Sequence, residues 1–144
     1  MKILFVLGPN LGALGRRDPA TYGTETLDDI MEAVQRRAGE LGNDAEWHQS
    51  DHEGDLVGWV LGAADEGASA VVINPGALSH YSYALRDAVE ACRVPVVEVH
   101  MSNIYAREEF RRHSVISEVC RATVTGLGAG SYHLALEAMP WITS

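Results

Sequence analysis

The chain has 144 residues, 47% of them hydrophobic and 22% charged, an ordinary composition for a soluble globular domain with one good core. Twenty Asp and Glu against eleven Lys and Arg leave a net charge of -9, and no basic cluster offsets it, so nucleic acid and anionic membrane surfaces are excluded as partners. No apolar run approaches the roughly 20 residues of a membrane-spanning helix, and Cys92 and Cys120 are too few for a disulfide framework and form no Cys-x-x-Cys pair.

Lys2 to Leu7 is a continuous apolar run that breaks at Gly8-Pro9-Asn10. It is short for a signal peptide and is predicted as a first strand buried on both faces, in a cytoplasmic protein whose cysteines are small buried hydrophobes. A long polar loop follows, carrying Asn10, Arg16, Arg17, Asp18 and Tyr22. Loops of this length at a strand exit are often lids, and equally often plain connections. Leu27, Ile30, Met31, Val34, Ala38 and Leu41 then recur at helical spacing, with Thr26 as N-cap, Asp28 and Asp29 in the first turn and Gly42 as the stop.

Asp44 to His48 is a weaker second strand. Ser50 and Glu53 resemble a capping box ahead of a helix over Leu56 to Ala64. Ala70 to Ile73 is the cleanest strand and ends at Asn74-Pro75-Gly76. A third helix is predicted over Ser82 to Cys92, a fourth strand over Val94 to Val99, and a short charged helical piece over Glu108 to His113 with Phe110 turned inward. Val119 to Thr125 makes a fifth strand and Ser131 to Met139 a last helix. No repeat or linker interrupts this pattern, so a single domain over residues 1–144 is expected. Strands alternating with helices argue for a five-stranded parallel sheet, flavodoxin-like in the order 2-1-3-4-5, with helices on both faces. Ligands bind such sheets outside the carboxyl ends of the strands.

Those ends hold the polar chemistry. Asn10 follows the first strand, and Asn74 ends the third, with Ser79, His80 and Tyr81 just beyond. The fourth runs Glu98-Val99-His100-Met101-Ser102-Asn103, followed by Arg107, Arg111 and Arg112. Glu98 and His100 alternate along a strand and therefore point the same way, which suits either a structural ion pair or a carboxylate that tunes an imidazole. His48 and His52 have nominal metal spacing, but they straddle a strand-to-helix junction where the rings need not converge. Lys2 is the only lysine beside ten arginines, so a mechanism needing a lysine must use it. It lies about 17 Å from the strand exit, at the wrong end.

Several segments, in order over nearly the whole chain, resemble the type II 3-dehydroquinate dehydratases. They are Gly8-Pro9-Asn10-Leu11, Leu14-Gly15, Arg17-Asp18-Pro19, Tyr22-Gly23, Gln49-Ser50, Glu53-Gly54, Asn74-Pro75-Gly76 and His80. Ala84-Leu85-Arg86-Asp87, Glu98-Val99-His100, Ser102-Asn103, Arg107-Glu108 and Phe110-Arg111 complete the set. Two positions depart from the common family form, Gly12 where Asn is usual and Asp18 where Glu is usual.

The resemblance implies reversible dehydration of 3-dehydroquinate to 3-dehydroshikimate with no metal and no cofactor. It implies Tyr22 as the base on a lid, with Arg17 stabilising the tyrosinate and Asn10 stabilising the enolate. His100 would be the general acid, kept protonated by Glu98. Asn74 and the N–H groups of Met101 and Ser102 would take the substrate carboxylate, and His80 and Arg111 its ring hydroxyls. Asp87 would reach a neighbouring subunit's site, Arg107 would support the lid, and the assembly would be a dodecamer of four trimers. The same resemblance fits biosynthetic shikimate-pathway or catabolic quinate-pathway duty. A non-catalytic flavodoxin-like module fits poorly. A receiver domain needs acids where Asn10 and Asn74 stand, and a flavin carrier needs a compact phosphate loop leading straight into a helix.

Overall fold

The computed structural model describes residues 1–144 apart from Arg17 and Gly23, and it describes Tyr22 through its backbone alone. Five parallel strands form one sheet in the order β2-β1-β3-β4-β5. They are β1 (Lys2–Leu7), β2 (Asp44–Gln49), β3 (Ala70–Asn74), β4 (Val96–His100) and β5 (Ala122–Thr125). The helices are α1 (Pro19–Tyr22), α2 (Leu27–Glu40), α3 (Glu53–Gly62), α4 (Tyr83–Ala91), α5 (Gly130–Glu137) and α6 (Met139–Ile142).

The continuous apolarity of the central strands follows from burial on both sides. Ile3, Phe5 and Leu7 of β1 join Ala70 and Val72 of β3 under α2, α5 and α6. Leu4 and Val6 join Val71 and Ile73 under α3 and α4 on the other face. β4 breaks the rule in one place. Val97 and Val99 face the first core and Val96 the second, yet the fully buried Glu98 follows Val96 on that second side. A carboxylate in an apolar layer is costly unless it is paired and hydrogen-bonded, which singles out Glu98 before any function is considered.

The start of α2 forms as its sequence dictates. The Thr26 hydroxyl accepts from the Asp29 N–H at 3.2 Å, and the Asp29 carboxylate accepts from the Thr26 N–H at 3.1 Å. Several expected boundaries move. β4 begins at Val96, because Pro95 has no N–H to give the ladder and contributes only its carbonyl, to Val71 N–H at 2.9 Å. β5 begins at Ala122, after a 3-10 turn over Ser117–Val119. The last helix divides at Ala138, with Pro140 in the first turn of α6, where its missing N–H costs nothing.

Ser50 does not cap α3. Its hydroxyl donates to Asp55 at 2.6 Å and accepts from the His52 N–H, while Glu53 accepts from Ser82. The charged piece after β4 is a 3-10 turn over Glu109–Arg112, and Phe110 is 60% exposed instead of turned inward. Val115 and Ile116 fill the apolar space there, and Phe110 lies edge-on to His80. Both cysteines are unpaired and half-buried against the second core. Burial, helped by the Glu98 charge, pushes the Cys120 thiol up to about 12, so it stays a packing group.

Candidate active site

The exits of β1 and β3 are pressed together. Gly8 donates its N–H to the Asn74 carbonyl at 2.8 Å, and a Cβ at Gly8 would stand 2.8 Å from the Pro75 carbonyl carbon and oxygen. This contact sets Asn10 beside Asn74. Asn10 is the one non-glycine residue with positive φ among the described residues, at 69°, and its N–H is held by the Asp51 carboxylate at 2.8 Å. Gln49 at the end of β2 ties the same corner, donating to Gly8 O and to Asp51 at 3.2 Å each.

Asn10, Asn74, His80, His100, Met101, Ser102, Arg107 and Arg111 all line one cavity of about 110 Å³ at the carboxyl ends of the strands. Eight residues named from the sequence thus converge, from the exits of three strands. Glu98 lies directly beneath His100. Asp87 is exposed on α4 and does not line this cavity. Arg17 lies outside the described residues, as does the Tyr22 side chain.

The Glu98–His100 pair is buried, with the two residues 0% and 7% exposed. His100 Nε2 is 2.7 Å from Glu98 Oε1. A carboxylate only accepts, so Nε2 carries the proton and Nδ1 is the ring nitrogen Glu98 leaves for other chemistry. Burial alone would raise the Glu98 carboxyl. The hydrogen bond and charge of His100, together with the hydroxyls of Ser117 and Ser114, outweigh it and hold Glu98 below the usual carboxylate range.

His80 stacks near His100, with ring centroids 6.4 Å apart and planes within 16°. Its Nδ1 meets the His113 carbonyl at 2.8 Å, so that nitrogen is the donor and Nε2 the acceptor of a neutral ring. Burial, with His100 and Arg111 as neighbouring cations, lowers its pKa and favours that neutral form. Two histidines side by side are therefore held differently, His100 through Nε2 by a buried carboxylate and His80 through Nδ1 by a backbone carbonyl.

Asn74 is 4% exposed and spoken for at both ends of its amide. Its Oδ1 accepts from Gly76 N–H at 3.1 Å, and its Nδ2 donates to the buried Tyr132 hydroxyl at 2.7 Å, leaving one amide hydrogen for a ligand. The carbonyls of His100, Met101 and Ser102 are fixed by Gly126 N–H, Gly128 N–H and the Thr125 hydroxyl. Arg107 reaches the Ser102 hydroxyl at 3.4 Å. Asp18 caps α1, accepting from the Thr21 hydroxyl at 2.6 Å and the Ala20 N–H at 3.1 Å, and Arg107 adds to the charge that keeps it ionised.

Other groups are placed away from this chemistry. Lys2 pairs with Glu46 at 2.7 Å at the amino end of β1. His48 stacks on Trp59 and pairs with Glu46, and no group of three or more acidic, His or Cys side chains fit to hold a metal occurs among the described residues. Ser114, Ser117 and Tyr132 are the polar partners that sequence reasoning missed. Each lies far along the chain from the group it serves, and none stands in a spacing that signals the contact.

A family model described as Dehydroquinase class II matches residues 1–140. The chain belongs to this family. The 3-dehydroquinate dehydratase of Pelotomaculum thermopropionicum is 53% identical over 138 residues, covering 96% of this chain and 95% of that protein. That of Thermus thermophilus is 52% identical over 134 residues, covering 93% and 90%. Among solved structures, the type II dehydroquinase of Propionibacterium acnes superposes with a TM-score of 0.92 at 49% identity, covering 96% of this chain and 94% of that one. The fold is thus the flavodoxin-like fold of the type II dehydroquinases, and a class II dehydroquinase is a hydro-lyase.

Proposed function

We propose that this class II dehydroquinase removes water from 3-dehydroquinate by anti elimination, giving 3-dehydroshikimate through an enolate. The observation that carries this reading is the buried Glu98–His100 pair opening on the cavity lined by Asn10 and Asn74. Tyr22 takes the proton α to the ketone. An unperturbed phenol has a pKa of about 10, so the reaction needs a cation to favour the tyrosinate, the part given to Arg17. The electron pair moves to the ketone oxygen, where Asn10 and a bound water stabilise the enolate. As the enolate collapses, the carbon–oxygen bond β to the ketone breaks. His100 delivers its proton to the departing oxygen, which leaves as water. Glu98 keeps His100 protonated beforehand.

Asn74 and the N–H groups of Met101 and Ser102 receive the carboxylate, while neutral His80 and Arg111 hold the ring hydroxyls. Arg107 supports the lid, and its pull on Asp18 favours that reading. Asp87 of a neighbouring subunit completes the site in a dodecamer of four trimers, and its exposed place on α4 suits such a contact. The arginines around the cavity draw an anionic substrate despite the overall negative charge. The scheme uses no metal and no organic cofactor. It suits the shikimate pathway of aromatic amino acid biosynthesis.

Two substitutions test the assignment of base and acid. Tyr22→Phe and His100→Gln are each expected to lower kcat by at least about 100-fold while the subunits still assemble. Near-normal turnover by either variant would remove that residue from its role.

A further inference from the structure

We propose that Ser114 and Ser117 are positioning residues that lock Glu98 as an acceptor-only carboxylate, so that the proton of the pair stays on His100. The proposal rests on the reading of Glu98 and His100 as the acid pair and adds what holds that pair in order. The Ser114 hydroxyl lies 2.8 Å from Glu98 Oε1 and 3.1 Å from Oε2. The same oxygen accepts the N–H of Ile116 at 3.2 Å and of Ser117 at 3.1 Å. A hydroxyl oxygen has two lone pairs and one hydrogen. With both lone pairs taken by backbone donors, the hydrogen of Ser114 can only be given to Glu98.

Ser117 supplies the second donor, to Glu98 Oε2, while its carbonyl accepts from the Cys120 N–H. Its hydroxyl caps nothing in its own turn, so turn geometry does not explain it. Both carboxylate oxygens are therefore met by hydroxyl donors, and His100 Nε2 adds a third donor on Oε1. A protonated Glu98 would have to turn a hydrogen into one of these donors and break a bond that is already made. A buried acid with no such donors would instead share or take the proton of its histidine.

The groups facing Glu98 are few. His100 lies on its own strand, His80 approaches from the turn after β3, and Cys120 lies just before β5, with Arg111 beyond His80. The Cys120 thiol is too high to titrate in the working range. His80 depends on the His113 carbonyl and not on either serine, so its contribution to an acid limb is common to all the variants below.

The test is the pH profile of kcat on 3-dehydroquinate for the wild type, Ser117→Ala, Ser114→Ala, Ser117→Thr and Ser117→Cys. Losing a donor to the carboxylate raises the pH at which Glu98 takes a proton, so its effect falls on the acid side of the profile. The acid limb of Ser117→Ala should therefore move upward by roughly one pH unit. Ser117→Thr should restore it, and Ser117→Cys, a weaker donor of similar size, should fall between. Ser114 also holds its turn, so Ser117 carries the decision if Ser114→Ala does not fold. A uniform drop in kcat with both limbs unmoved in Ser117→Ala would make the serines turn formers only and overturn the proposal. Normal turnover by His100→Gln would overturn the acid pair and this proposal with it. Loss of turnover in His100→Gln beside an unmoved acid limb in Ser117→Ala overturns the proposal alone.

Discussion

Gly8→Ala adds one methyl group where two strand exits meet, and it is expected to damage the site far more than its size suggests. The new Cβ would stand 2.8 Å from the carbonyl carbon and oxygen of Pro75 and 3.1 Å from the Asn74 carbonyl oxygen, whereas ordinary contact begins at 3.4 Å. All of these atoms are backbone, so no rotamer change relieves the overlap, and the two exits must part by roughly 0.6 Å. Such overpacking costs about 1–3 kcal/mol. At about 2–4 °C per kcal/mol for a chain of this size, the melting temperature should fall by roughly 2–12 °C. The same displacement separates Asn10 from Asn74, and misplacements of this order lower turnover by up to about 100-fold.

Gly12→Ala is the matched control on the same loop. Its Cβ would meet only the far end of the Gln49 side chain, at 3.0 Å, which need give by only a few tenths of an ångström and can keep its hydrogen bonds to Gly8 and Asp51, and the loss of a glycine offsets part of the cost. Gly12→Ala should melt within about 2 °C of the wild type and keep most of its kcat/KM. Thermal denaturation followed by circular dichroism and steady-state assays of both variants decide the matter. Equal behaviour of the two variants, or wild-type activity in Gly8→Ala, would refute the claim that the contact between the exits of β1 and β3 sets the site.

Three further outcomes are expected. Tyr132→Phe leaves the Nδ2 of Asn74 without its acceptor, so KM should rise by about tenfold with kcat little changed; an unchanged KM would show that Tyr132 does not orient the amide. Thr26→Ala removes the α2 cap, which lines no part of the cavity, and should cost about 1 kcal/mol of stability with kcat/KM unchanged, read from melting curves beside the assay. His80 has a folded pKa below the usual 6.5, so the unfolded chain binds its proton first as pH falls. Its neutral form therefore supports the fold above about pH 6.5, and that support is lost as pH falls toward the folded pKa. Melting temperature should drop more steeply with acid over that window in the wild type than in His80→Gln; parallel curves would count against a neutral His80.

Much of the architecture was legible because it depends on local pattern. Apolar runs in β1 and β3 gave strands buried on both faces, the spacing from Leu27 to Ala38 gave α2, and Thr26 capped it as expected. The alternation of Glu98 and His100 placed both on one side of β4, which is a rule of strand geometry. Composition and spacing left open whether that pair was structural or functional, and it was the whole ordered set of motifs that pointed to the family.

What stayed hidden depends on contacts between distant parts of the chain. Ser50 and Glu53 have capping-box spacing, yet each has a closer partner, Asp55 for one and Ser82 for the other. Phe110 is the apolar member of a charged run, but Val115 and Ile116 already fill the core beside it. Its ring instead carries the Arg111 guanidinium, 4.7 Å from its centroid, at the rim of the cavity. Ser114 and Ser117 meet Glu98 only because the chain after the Glu109–Arg112 turn doubles back under β4, and no periodicity announces that path.

The most direct test of the account is ultraviolet absorbance of the purified protein mixed with 3-dehydroquinate, with and without borohydride present alongside the substrate. A steady rise from the enone of 3-dehydroshikimate that borohydride does not abolish is expected, because Lys2, the only lysine, stands at the far end of β1. A folded sample that gives no rise, or one whose activity borohydride destroys, would contradict it.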